Sequence, residues 1–275
     1  MQATQWYAVC LVAGLLGLMA CNKNQEAAIE PDAEAVSMQN SESEDVVQDA
    51  IDAAEDAFDG VDDGLRNGRT EEPERCATIR INENARTIVV EYGNGCNIGG
   101  NRTRKGKITI TYRGVRNFLA ERTVVLDNYS NGIHTISGTI TITERVMSGN
   151  VLSYNVVGSN LVITRPNGKQ IRISECRRTV RYDFGTRLLD VADDQVQING
   201  STVGTTDEGR NFRATIVSPV IMKGSCLRAA TFYPVSGRYE IRTGDWTIFA
   251  DWGEGECDKK ISITVNNRTV TRTLP

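Results

Sequence analysis

From residue 76 onward apolar and polar positions alternate in short runs separated by turn residues. The clearest run is His134 to Thr143: Ile136, Ile140 and Ile142 point one way, and Thr135, Ser137, Thr139, Thr141 and Thr143 the other. A period of two with one apolar face describes a sheet that buries one side and wets the other. Leu161-Val162-Ile163-Thr164 and Gln170-Ile171-Arg172-Ile173 flank Pro166-Asn167-Gly168-Lys169, a hairpin with an Asn-Gly turn. Asn199-Gly200 sits inside Gln195 to Val203, and Asn211 to Met222, Leu227 to Val235, Arg238 to Arg242 and Arg268 to Thr273 continue the pattern. The count comes to roughly fifteen short strands with no helical crossover between them. The expectation is an all-β domain over 76–275: an antiparallel β-sandwich or strongly curved double sheet built from hairpins.

One stretch occurs twice. Thr87-Ile88-Val89-Val90-Glu91-Tyr92-Gly93-Asn94-Gly95-Cys96 and Thr247-Ile248-Phe249-Ala250-Asp251-Trp252-Gly253-Glu254-Gly255-Glu256-Cys257 both read as strand, acid, aromatic, Gly-x-Gly and cysteine. A second strand follows each, Lys107 to Thr111 and Lys260 to Thr264. The repeated unit is a hairpin whose tip carries a cysteine.

Before residue 76 the pattern changes. Residues 22–42 are polar and aperiodic, which predicts a disordered acidic tether. Val47, Ile51, Ala54 and Phe58 recur at helical spacing, so a short amphipathic helix is expected over 43–59. Residues 60–75 read as linker. Charge divides at the same point: residues 21–75 hold 17 acids and 4 bases, residues 76–275 hold 18 acids and 27 bases, balances of −13 and +9 that sum to the −4 of the chain. An acidic segment beside a basic domain predicts that the first lies over the second and competes with an anionic ligand.

The first 20 residues contain an apolar run, 8–20, shorter than the roughly 20 residues of a membrane-spanning helix, and residues 1–20 are expected to be a secretory signal peptide. It ends in Leu18-Met19-Ala20-Cys21, which resembles the lipobox of bacterial lipoproteins. The resemblance implies cleavage before Cys21, acylation of its thiol and new amine, and a lipid-anchored place at the outer membrane, since Asn22 is not the Asp associated with inner-membrane retention. An exported chain can hold disulfides. Repeat logic pairs Cys76 with Cys96 and Cys226 with Cys257, leaving Cys176 as a half-buried free thiol.

Chemistry is sparse. The single histidine, His134, reads as a surface or turn residue, and no phosphate loop, dinucleotide fingerprint or nucleophile elbow is present in the sequence. No Cys-x-x-Cys spacing suggests zinc, so no metal or other cofactor is expected. Glu91, Asp183 and Asp251 are the carboxylates a glycosidase pair would draw on, and Asp251, Glu254, Glu256 and Asp258 cluster in one loop; turn and salt-bridge roles are the expected ones. Two basic groups, Arg102, Arg104, Lys105 and Lys107, and Arg177, Arg178 and Arg181, are candidate anion sites, weighed against cross-strand pairing with acidic neighbours.

The hairpin Tyr92 to Cys96 with Thr103-Arg104-Lys105-Gly106-Lys107-Ile108 after it, and the closing Asp251 to Asp258, resemble a group of uncharacterised exported all-β lipoproteins of Bacteroidetes-type bacteria. The likeness covers roughly residues 76–275 and implies an exported all-β domain of no assigned activity; Cys176 and the long acidic segment depart from it. The functional expectation is a non-enzymatic binding or structural lipoprotein, joined to the membrane by its N-terminal lipid, with an anionic glycan or envelope protein as partner and no nucleic acid. The alternative is a carbohydrate-active enzyme using paired carboxylates in a β cleft.

Overall fold

The computed structural model describes residues 29–59, 76–99, 102–187, 191–227 and 233–274. A long helix, α1 (Pro31–Asp59), comes first. Among the described residues thirteen strands follow: β1 (Thr78–Asn82), β2 (Thr87–Gly99), β3 (Arg102–Tyr112), β4 (Arg122–Ser130), β5 (Thr135–Ser148), β6 (Val151–Thr164), β7 (Gln170–Asp183), β8 (Gln195–Thr205), β9 (Asn211–Lys223), β10 (Ser236–Thr243), β11 (Trp246–Glu254), β12 (Lys260–Val265) and β13 (Arg268–Thr273). A single helical turn, α2 (Gly224–Leu227), lies between β9 and β10.

The all-β expectation holds, but the layers differ from a sandwich. Each strand pairs antiparallel with its successor, giving one 13-stranded sheet in sequence order. Among the described residues no strand crosses to a second sheet. So many twisted strands must curl, and α1, rather than a facing sheet, fills the hollow. The helix meets β2, β3, β4 and β5 on one side and β10, β11 and β12 on the other.

Register explains the two faces. One row of neighbours runs Ile88, Ile110, Val124, Ile140, Gly158, Cys176, Thr202, Ala214, Ile241, Ile248 and Val265, from β2 to β12, and all are buried. One residue away the row reads Thr87, Thr111, Thr123, Thr141, Val157, Arg177, Ser201, Thr215, Glu240, Phe249 and Thr264, all half-buried or exposed. A slip of one residue would exchange these rows, which is why the pattern pins the register. The buried row is bulky at both ends and small in the middle, at Gly158, Cys176 and Thr202. A Cβ on Gly158 would stand 2.8 Å from Leu161 Cδ1 and 3.2 Å from the Cys176 Cβ, so β6 must be bare there.

Helix α1 is longer than the expected 43–59 and is no tether. It starts at Pro31, whose fixed φ and missing N–H suit a first turn, with Asp32 and Glu34 at the positive end of the helix dipole. Val47, Ile51, Ala54 and Phe58 are buried as their spacing implies. A second stripe, Val46, Ala50, Ala53 and Ala57, is buried beside them. Ser37, Gln39, Asn40 and Ser43 are also buried. The Ser43 hydroxyl donates to the Gln39 carbonyl at 2.7 Å, and the Gln39 amide bonds Asp207 at 2.8 Å. The polar N-terminal half therefore escaped periodicity because Gln39 finds its partner at Asp207, in the turn between β8 and β9, and Ser43 finds its own within the helix. At the other end Phe58 meets the Tyr112 ring edge-on at 5.4 Å and carries the Arg122 guanidinium 3.7 Å over its face.

Candidate functional site: the helix-filled interior

The helix has ten acids and no base, and the sheet supplies the cations. Glu34 is held by two bonds from Arg272, at 2.6 and 3.1 Å. Arg165 grips Glu42 in the same forked way, at 2.8 and 2.9 Å, and reaches Asp207 at 2.7 Å. His134 Nε2 adds a contact to Glu42 at 3.5 Å. Glu44 accepts from Arg178 and, at 2.8 Å, from the Thr202 hydroxyl. Asp49 accepts from Tyr129 and from Arg104 at 3.2 Å. Glu55 lies between Arg122, at 3.3 Å, and Arg145, at 2.8 Å. Asp32 pairs with Arg210.

Burial makes these pairs different from ordinary surface bridges. The side chains of Arg122, Arg145, Arg178 and Arg104 are 0, 1, 5 and 6% exposed. Buried unpaired guanidinium is costly, so each arginine demands its carboxylate. The charges respond accordingly. Burial alone would push Arg178 down, but Glu44 outweighs it and keeps the cation. Burial raises Glu42, and hydrogen bonds from His134 and Arg165 more than offset that, leaving its carboxyl below the usual range. Asp207 is likewise held low, burial being outweighed by Arg165 and Gln39. Burial pushes the Cys176 thiol up to about 11, so it rests as an inert small wall residue. Asp52 is the exception. Desolvation along the helix and the neighbouring Asp56 charge raise its carboxyl to about 7, although it keeps accessible surface.

Both expected cysteine pairs are at disulfide distance: Cys76 and Cys96 with Cα atoms 5.2 Å apart, and Cys226 and Cys257 at 5.5 Å. Cys176 is free, and buried rather than half-buried. The Gly-x-Gly units are not both hairpin tips. Gly93 and Gly95 form an irregularity inside β2, between Glu91 and Cys96, with positive φ at each; Gly253 and Gly255 stand at the end of β11. Cys21 lies outside the described residues.

The two basic groups are not two patches. Strand alternation splits each. Arg104 and Arg178 point inward to the helix. Lys105 is exposed, Lys107 faces Asp127 at 2.9 Å, Arg177 faces Glu175 at 2.7 Å and Arg181 faces Asp183 at 3.4 Å. Arg102 opens β3, and its side chain lies outside the described residues. The acidic segment does meet the basic domain, but as its core rather than as a loose cover. His134 is in a turn as read, but buried. Glu91 binds Arg80 at 2.8 Å, Asp251 accepts from the Gly253 amide, and Asp258 binds Lys260 at 3.0 Å. Among the described residues no three His, Cys, Asp or Glu side chains are grouped to hold a metal ion. Sequence reasoning missed Arg122, Arg145 and Arg165. The available signal was phase: Arg122 precedes Val124 and Leu126 on the apolar side of β4, as Arg178 stands between Cys176 and Val180 on β7.

Two open hollows lie at opposite rims. One, of about 670 Å³, is lined by Asn150, Asp183, Thr186, Asp193 and Gln195. The other, of about 430 Å³, is lined by Arg210, Asn211, Thr243, Asp245 and Trp246.

The class these features define is an all-β domain folded around its own acidic helix. Compared with known proteins, the chain matches no family model, no curated protein and no solved structure.

Proposed function

We propose that the protein is a lipid-anchored, non-enzymatic binding or structural module of the bacterial outer membrane. The observation that carries this reading is the occupied interior. The concave face, where a curled sheet usually offers a ligand cavity, is taken by α1, whose carboxylates neutralise the inward arginines. An external ligand is left with the convex face and the rims. The convex face is mostly Thr, Ser, Arg and Glu, with Val125, Val157, Val217 and Phe249 scattered singly rather than joined in the apolar band of a membrane barrel, which supports a domain that stands outside the bilayer. The anchor itself rests on Leu18-Met19-Ala20-Cys21.

Fractionation tests the reading. Wild type should extract with outer-membrane detergent fractions, and Cys21→Ser should appear soluble or with its signal uncleaved. Retention of the variant at normal size and amount would overturn the anchor. Incubation with envelope polysaccharides should give capture without release of reducing ends. Release that disappears in Asp183→Asn would instead support the carbohydrate-active enzyme.

A further inference from the structure

We infer that the domain stands on the membrane with one particular rim facing the bilayer: the rim at the helix N-terminus, carrying Trp246, Arg210, Ile133 and Lys169. This rests on the lipid anchor proposed above. With 21–75 as a tether, the domain could face any direction. The burial of α1 removes that freedom. Ile29 is already part of the core, so only residues 22–28 separate the fixed domain from Cys21. Eight Cα steps at roughly 3.3–3.6 Å give a reach of at most about 29 Å.

The helix fixes which rim that is. Asp32 binds Arg210, and the Arg210 guanidinium lies 5.4 Å over the Trp246 ring. Glu42 contacts His134, next to Ile133, and Arg165, in the turn that carries Lys169. These groups therefore surround the N-terminal half of α1. The far rim is marked by Phe58 against Tyr112 and by Arg122, which donates to the Phe118 carbonyl at 2.9 Å. Val115, Leu119, Val146 and Met147 are exposed at that end. A 29-residue helix is about 42 Å long, more than the reach of residues 22–28. The far rim, though apolar, cannot be the one pressed on the bilayer.

Lying on its side would put the Thr- and Arg-rich convex face against lipid. The near rim is better suited. Ile133 is 54% exposed, Trp246 is half-buried, and the side chains of Lys169 and Arg210 are 53 and 43% exposed, each beside an acid, Glu208 and Asp32. A tryptophan with an apolar body and a polar edge, flanked by long basic side chains, belongs at the headgroup level.

Energy transfer to dansyl-phosphatidylethanolamine vesicles tests the orientation on the purified lipidated protein. The donors are Trp246, and Val115→Trp in a Trp246→Phe background, each corrected with Trp246→Phe alone for the buried Trp252. Transfer from Trp246 should exceed that from position 115 at least twofold. Equal or reversed transfer would overturn the orientation. Intact mass of the N-terminal peptide reads the anchor separately. If Cys21 proves unacylated, the anchor proposal fails, and a maleimide phospholipid coupled to the Cys21 thiol of the mature chain gives the same comparison. Equal or reversed transfer there still overturns the orientation.

Discussion

The concave and convex faces of the sheet use the same residue types to different ends. On the convex face Arg177 and Arg181 pair with Glu175 and Asp183, each two positions away on the same strand. Both members stay in water, and losing one leaves the other solvated. On the concave face Arg122, Arg145, Arg178 and Arg104 are enclosed, and their partners come from a helix up to 134 residues distant. There a missing carboxylate strands a buried cation. Whether an arginine builds the fold thus depends on which phase of the strand it occupies, and its abundance in the composition says nothing about that.

The sharpest way to break the comparison is at Glu55, the single carboxylate between two enclosed arginines. Glu55→Ala should cost about 3–5 kcal/mol and lower Tm by roughly 10 °C at about 2–4 °C per kcal/mol, read by denaturant and thermal unfolding. A loss as small as that of a convex-face mutant would erase the distinction between the faces.

Asp52 sharpens the account in the opposite direction. Its folded-state carboxyl is raised to about 7, above the roughly 3.9 of an unfolded aspartate. The penalty for ionising it is therefore absent below about pH 4, grows between 4 and 7 and is full above 7. Asp52→Asn should stabilise the protein at pH 8, by about 1 kcal/mol once solvent screening at an accessible carboxyl is allowed for, and should change nothing at pH 4. Destabilisation at pH 8 would mean that the ionised carboxylate makes a favourable contact.

The smallest effect belongs to Arg177→Ala on the convex face. It should leave Tm unchanged within error at both low and high salt. A clear drop would show that the outer pairs also hold the sheet.

These contrasts bear on how much was legible in the chain. Alternation in His134 to Thr143 located a strand and both its faces, because the buried positions there on β5 are Ile136, Ile140 and Ile142; the strand runs on to Ser148, and Arg145, buried on the same face, was not legible. The Asn167-Gly168 hairpin and both cysteine pairs were legible for the same reason: turn chemistry and repeat spacing are local. The single-sheet architecture was not, since alternation says that one face is covered and not by what. The N-terminal turns of α1 were hidden because Gln39 is buried and Glu42 and Glu44 half-buried through partners at Asp207, Arg165 and Arg178. A hydropathy pattern scores each as solvent-facing; only the matching Arg165, in the turn after β6, and Arg178, on the apolar phase of β7, both more than a hundred residues away, reveal otherwise.

Helix α1 is core and not tether. The direct test is cooperative unfolding of residues 76–275 alone, with both disulfides formed, against residues 29–275. The shorter chain should show no cooperative transition and should recover one when a peptide of residues 29–59 is added. A chain of residues 76–275 that unfolds cooperatively with the stability of the longer one would contradict it.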